Sequence, residues 1–215
     1  FILNKVYLLN NKFHNYFKNY DFHNLYKELL NFCAVDLSAF YFDIRKDTLY
    51  CDNLNSVKRK SCVMILNVLL NALLRWFAPI LSFTSEEIYQ LISKENKSIH
   101  LEKFLSVPEN FNDDHILKKW SELIKIREVC NISIEEKRAA KEIGSSLEAE
   151  LKLNLNSKYK KILTNIDLSE LCIVSKAEIS FDEQSDIFVK TNKASGDKCP
   201  VCWKISVEPC ARHPK

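Results

Sequence analysis

The chain has 215 residues, long enough for one large or two modest domains. Hydrophobic residues make up 47% and charged residues 27%, the balance of an ordinary soluble globular protein. A formal net charge of +3 excludes an overall-charge argument for a nucleic-acid partner and leaves only local patches to carry one.

Only two glycines occur, Gly144 and Gly196, and both read as punctuation. Before Gly144 nearly everything reads as helix. Phe1 to about Tyr20 is aromatic and amphipathic, and Asp21 is placed to cap a second helix through Leu25–Val35. Asp36 and Asp47 then read as flanking a turn between helices. A third helix runs from about Ser56 to Ala78 and is stopped by Pro79. Its stretch from Val63 to Leu81 approaches the length of a membrane span, but Asn67, Asn71, Arg75 and Pro79 interrupt it every fourth residue. That spacing lays a polar stripe on one face of a buried helix, and no membrane partner is expected. Thr84-Ser85-Glu86-Glu87 has the form of a capping box opening a short helix through Ile92. Residues 93–111 read as a loop. From Asp113 the chain turns helical again, with Ile116, Trp120, Leu123, Arg127, Cys130 and Ile134 on one face and Lys137, Arg138 and Lys141 as a basic end before Gly144.

After Gly144 the period changes from helical to alternating. Leu147, Ala149, Leu151, Leu153 and Leu155 alternate with polar residues, the pattern of a half-buried strand. A short helix near Lys158–Leu163 and strand-like runs at 171–180 and 186–192 complete a small α/β unit. The expected fold is mainly α: a helical bundle over 1–144, a small α/β junction over 145–195, and a metal-binding tail over 196–215. The chain begins in mid-pattern without methionine and reads as a piece of something longer.

Of eight cysteines, Cys33, Cys51, Cys62, Cys130 and Cys172 are scattered, several in apolar runs where a free thiol acts as a small hydrophobe. With no signal peptide visible, this usage reads as a reducing cytosol. The other three, Cys199, Cys202 and Cys210, cluster with His213 as Cys-x2-Cys and Cys-x2-His pairs seven residues apart. Three thiolates and one imidazole are the ligand set of a closed, four-coordinate structural Zn2+ site. A redox Cys-x2-Cys leaves the second pair unexplained and a disulfide conflicts with the compartment. The tail is also basic, with Lys190, Lys193, Lys198, Lys204, Arg212 and Lys215 against Asp197 and Glu208 from residue 190 onward. Trp203 adds an aromatic face. Such a knot binds nucleic acid by phosphate contact and base stacking, or else Trp203 covers the knot and the lysines are merely solvated.

Two stretches, NFCAVDLSAFYFDIRKDTLYC (31–51) and LLRWFAPILSFTSEEIYQLI (73–92), resemble the C-terminal helical region of class I aminoacyl-tRNA synthetases. The resemblance is closer to the bacterial isoleucine-specific branch. That branch combines elements like Asp36-Leu37-Ser38, Phe40-Tyr41 and Lys46-Asp47-Thr48-Leu49-Tyr50. EEKRAAKEIGSSLEAEL is similar to its link into the C-terminal junction, and KCPVCWK to the start of its terminal zinc finger. The motifs span the chain in the family's order. The second pair departs from the family, which usually carries Cys-x2-Cys there after a longer gap. The histidine and lysine signature loops of the class's catalytic domain are absent, and His14, His23, His100 and His115 form no substitute constellation.

The resemblance implies the anticodon-binding part of a cytoplasmic, monomeric ligase that charges isoleucine tRNA with ATP; the ATP site, catalysis and editing lie in domains outside this stretch. It implies the anticodon stem-loop of isoleucine tRNA as partner and no DNA. Candidate RNA contacts are Arg45, Lys46, Arg75, Arg127, Arg138, Lys141, Trp203 and Lys204, with a helix-face salt bridge as the competing role of Arg127. The rival readings are a free-standing zinc-containing scaffold module and the matching region of a valine or leucine synthetase.

Overall fold

The computed structural model describes residues 1–93, 97–183 and 186–213; Lys215 of the basic tail lies outside them. The chain divides into two compact units, Phe1–Asp114 and His115–Lys215. The division therefore falls well before Gly144, the boundary expected from the change of period.

The first unit is a helical bundle. Helix α1 (Ile2–Lys18) turns Ile2, Val6 and Phe13 inward at helical spacing. Asp21 caps α2 (Phe22–Asn31) by accepting the Asn24 amide, and α2 buries Leu25 and Leu29. No turn follows. The backbone continues through a π-helical stretch, Phe32–Phe42, into α3 (Asp43–Cys51). The wider π winding brings Phe32, Leu37 and Tyr41 to the interior although they are five and four residues apart. Asp36 and Asp47 thus lie within continuous helix rather than beside a turn. Asp36 instead pairs with Lys5 of α1 at 3.1 Å.

Helix α4 (Val57–Phe77) starts where Ser56 accepts the Arg59 amide, and it supplies the centre of the core. Trp76 is fully buried, with the edges of Phe13 and Phe32 against it at centroid distances of 5.0 and 6.1 Å. Its indole N–H donates to Asn10 Oδ1 at 3.1 Å, and Asn10 Nδ2 donates to the Leu105 carbonyl at 2.9 Å. A buried indole and a buried amide thereby satisfy each other. By length and composition α4 is able to cross a membrane, but Leu69, Ala72 and Trp76 are core residues here. Its polar stripe is hydrogen-bonded along itself, Asn71 to the Asn67 carbonyl and Arg75 to Asn71.

Helix α5 (Ser82–Ile92) starts two residues ahead of the expected capping box, so Thr84 and Ser85 are inside it. Glu86 is used differently. It accepts from Ser98 Oγ at 2.8 Å and from the Ile99 amide at 2.9 Å, which caps a 3-10 turn at Ile99–Leu101. A second 3-10 turn, Glu109–Phe111, lies in the same expected loop, of which residues 94–96 are outside the described set.

The second unit opens with α6 (Asp114–Ala139), which buries Leu123, Ile126, Cys130 and Ile134. Strand β1 (Ala149–Asn156) buries Ala149, Leu151, Leu153 and Leu155 and shows Glu150 and Lys152 on the other face. Leu147 precedes it, in a 3-10 turn at Ser146–Glu148. β1 is central in a three-stranded sheet, parallel to β2 (Lys176–Asp182) and antiparallel to β3 (Ile187–Lys193), with Leu153 opposite Ile179 and Val189. The expected helix near 158–163 is a 3-10 turn at Ser157–Tyr159 followed by turns, and the helix in the crossover is α7 (Leu168–Leu171). Two bonds explain why α6 belongs with the sheet. Arg127 Nε donates to the Leu171 carbonyl at 2.9 Å, and Ser133 Oγ meets Thr191 Oγ1 at 2.7 Å.

Candidate metal centre and nucleic-acid interface

The tail folds as a two-residue ribbon, β4 (Asp197–Lys198) against β5 (Ile205–Ser206), with the first ligand pair in its turn. Gly196 is required before it. Its φ is +116°, and a Cβ there would sit 2.2 Å from the Ser206 backbone. Within the turn, the Cys199 amide donates to the Lys204 carbonyl at 2.9 Å and the Trp203 amide returns to the Cys199 carbonyl at 3.0 Å. These bonds, with Trp203 in the left-handed region at φ +63°, curl the chain so that Cys199 and Cys202 face one point. Ser175 anchors the ribbon to the sheet side of the unit by accepting the Ile205 amide at 2.6 Å and donating to the Leu147 carbonyl.

All four expected ligands converge. The ligand atoms of Cys199, Cys202, Cys210 and His213 lie within 4.8 Å of one another. Cys202 Sγ is 3.8 Å from Cys210 Sγ, and His213 Nδ1 is 3.6 Å from Cys199 Sγ and 3.4 Å from Cys210 Sγ. A tetrahedron with Zn–S bonds of about 2.3 Å has S···S edges of about 3.8 Å, so the group fits a four-coordinate ion of that size. Cys199 and Cys202 are buried and Cys210 and His213 half-buried, and four protein ligands would fill every position of a tetrahedral ion. Hydrogen bonds from the backbone amides of Cys202 and Val201 hold the Cys199 thiol down at about 6, favouring the thiolate. Burial pushes Cys202 up to about 11, which disfavours its thiolate. A cation at the centre would reverse that preference.

The candidate RNA contacts separate into engaged and exposed groups. Arg75 is spent inside the bundle, with an Nη2 contact to Glu102 Oε2 at 3.0 Å and Nε donating to the Lys103 carbonyl. Glu102 also accepts from Tyr89 Oη at 2.8 Å. Arg127 is half-buried on α6, and its Nε donates to the Leu171 carbonyl at 2.9 Å. Arg45 is half-buried beside Tyr41. Lys46 is exposed and pairs with Asp43 at 2.7 Å. Arg138 is exposed and pairs with Glu135 at 2.6 Å. Lys141 lies beyond the end of α6 at φ +58°, not within its last turn. Trp203 is 59% exposed, and Lys198 Nζ sits 5.1 Å from its ring centroid. Lys204 Nζ reaches Ser169 Oγ at 3.3 Å beside Asp167. The Lys198–Trp203 pairing was not legible as a site, because the sequence shows only five residues of separation and the turn creates the contact.

Residues 1–153 match the family described as the anticodon-binding domain of tRNA ligase. Among curated relatives, an isoleucine–tRNA ligase of Pelagibacter ubique is 62% identical over 99% of this chain and 24% of its own length. One from Bartonella quintana is 37% identical over 96% of the chain and 22% of its length. A third, from Brachyspira hyodysenteriae, is 40% identical over 86% and 21%. The chain thus spans less than a quarter of the length of these relatives.

Proposed function

We propose a function from one premise: the chain belongs to the anticodon-binding domain family of tRNA ligases. It forms the tRNA-binding part of an isoleucine–tRNA ligase and docks the anticodon stem-loop of isoleucine tRNA. The observation that carries the reading is identity to isoleucine–tRNA ligases along nearly the whole chain, through the helical unit and into the metal-binding tail. A valine or leucine enzyme is not favoured by these relatives.

The residues suit the task by class. Lys46, Arg138, Lys141 and Lys204 are cations able to swing to phosphates, while Arg75 and Arg127 keep the fold rather than the RNA. Trp203 with Lys198 offers a stacking face backed by a positive charge. The knot holds one Zn2+, whose part is to cross-link the tail and fix that face; it takes no share in chemistry. Joining isoleucine to tRNA with ATP belongs to the rest of the cytoplasmic enzyme. This part adds differential binding, so that the right anticodon positions a distant acceptor end.

Competition at fixed, near-physiological salt tests the reading, because nonspecific phosphate binding varies steeply with salt. Labelled isoleucine tRNA bound to the chain is challenged with unlabelled valine tRNA and with isoleucine tRNA carrying a changed anticodon. Both competitors are expected to displace it poorly. Equal displacement by all tRNAs would contradict anticodon reading by this chain.

A further inference from the structure

The corner between α1 and α2 carries a feature the fold does not explain. Helix α1 ends in a Schellman motif: the Tyr20 amide donates to the Phe17 carbonyl at 3.2 Å and the Asp21 amide to the Tyr16 carbonyl at 2.9 Å. Tyr20 occupies the left-handed position at φ +55°, where glycine is favoured, yet its side chain is 81% exposed. A large ring therefore sits at a strained position without gaining burial. It does not stand alone. Its centroid is 6.4 Å from that of Phe22, which is itself exposed and 5.8 Å from Phe17.

Phe22 begins a second apolar stripe on α2. Phe22, Tyr26 and Leu30 recur every fourth residue and are all exposed, in a stripe alongside the face of Leu25 and Leu29 that enters the core. The charges around this stripe are sorted. His23 and Lys27 follow Phe22 and Tyr26 on the exposed side, and Lys18 closes the last turn of α1. The nearby acids are directed elsewhere: Asp21 caps α2, and Glu28 accepts from Lys12 at 3.2 Å and from Tyr16 Oη at 2.7 Å. Exposed ring faces edged by cations complement a ligand with flat aromatic surfaces and a polyanionic backbone.

We propose that this corner, with the rings of Tyr20, Phe22 and Tyr26 bordered by Lys18, His23 and Lys27, is a stacking surface for unpaired bases of an RNA loop. The proposal rests on the tRNA-binding reading above and assigns it residues that neither motif nor family match singled out.

The test uses the whole chain and fluorescence anisotropy at fixed salt. Three labelled RNAs serve as probes: a hairpin with an anticodon-sized loop, the same stem with an abasic loop, and a blunt duplex. Wild type is expected to prefer the hairpin. Tyr20→Gly, which relieves the left-handed strain and leaves the fold at least as heat-stable, weakens hairpin binding by about tenfold and leaves duplex binding unchanged. Tyr20→Phe keeps the ring face and binds within about twofold of wild type. If Tyr20→Gly binds the hairpin as wild type does, or wild type binds the three RNAs alike, the stacking surface is refuted while tRNA binding stands. If wild type binds none of them, the tRNA reading fails and this proposal with it.

Discussion

The helical unit and the terminal knot solve the same problem by opposite means. In the unit Phe1–Asp114 the centre is a large apolar cluster around Trp76, into which α1, α2, the π-helical stretch and α4 each send side chains. Asn10, buried beside that cluster, has both ends of its amide satisfied in place. The ribbon of residues 196–213 has no comparable core: Val201, Trp203 and Val207 are exposed, and what converges is three thiols and an imidazole. Apolar burial scales with the number of side chains that can meet, and a segment this short cannot supply enough of them. One ion held by these four ligands would replace that cluster with a few strong bonds. The contrast teaches where each part is vulnerable: the bundle to cavities, the knot to loss of the ion.

The largest effect on the bundle should come from its centre. Trp76→Ala removes the ring on which Phe13 and Phe32 pack and strands the Asn10 carbonyl, so a loss of about 3–5 kcal/mol is expected. Denaturant unfolding followed by helical circular dichroism measures it. The same substitution should leave metal stoichiometry unchanged, which keeps the two regions distinct.

A smaller effect is expected at α7. Asp167 accepts the amides of Ser169 and Glu170, and Asp167→Ala should cost about 1 kcal/mol. Burial alone would raise the Asp167 carboxyl, but hydrogen bonds from Ser169 and the charge of Lys204 outweigh it and hold it below the ordinary value. A depressed folded-state value means that the stabilisation is complete above the unfolded-state pKa, near pH 4, and is lost as pH falls through the folded one. Acid titration of wild type against the variant should show their stabilities converging at low pH. A gap that persists in acid would contradict the cap.

The smallest effect is a gain. Lys141 sits at the left-handed position of a Schellman motif, with its amide on the Arg138 carbonyl and the Glu142 amide on the Lys137 carbonyl. Lys141→Gly relieves that strain and should stabilise the second unit by up to about 1 kcal/mol, read as a rise in Tm. If Lys141 also meets phosphate, tRNA binding weakens while stability rises, a combination that a purely structural lysine would not produce.

These positions also mark what the sequence could and could not carry. Helical periodicity, Ser56, Asp21 and the alternation of β1 are local signals, and the elements formed where those signals lay. The ligand quartet was legible for the same reason, since its spacing alone brings each pair to one point. Three things were not. Residues 32–42 look like an ordinary helix followed by a turn, because the five-residue step from Phe32 to Leu37 breaks α-helical phase; only π winding restores it. Helix α6 looks like the last member of the bundle, whereas two long-range hydrogen bonds tie it to the crossover and to β3. In a chain with two glycines, Tyr20, Lys141 and Ile173 take the left-handed positions that glycine usually announces, so those helix ends carried no marker. Arg75 and Arg127 were indistinguishable from RNA-binding arginines until their carbonyl and carboxylate partners were in view.

Residue-resolved hydrogen exchange of the whole chain, before and after stripping the metal with a chelator, tests the contrast most directly. The account predicts one zinc per chain at the start. Chelation should abolish protection of the Cys199, Trp203 and Ile205 amides, while protection along α1, α4 and β1 stays as it was. Loss of protection in α1 and α4, or a tail whose protection is indifferent to the chelator, would contradict it.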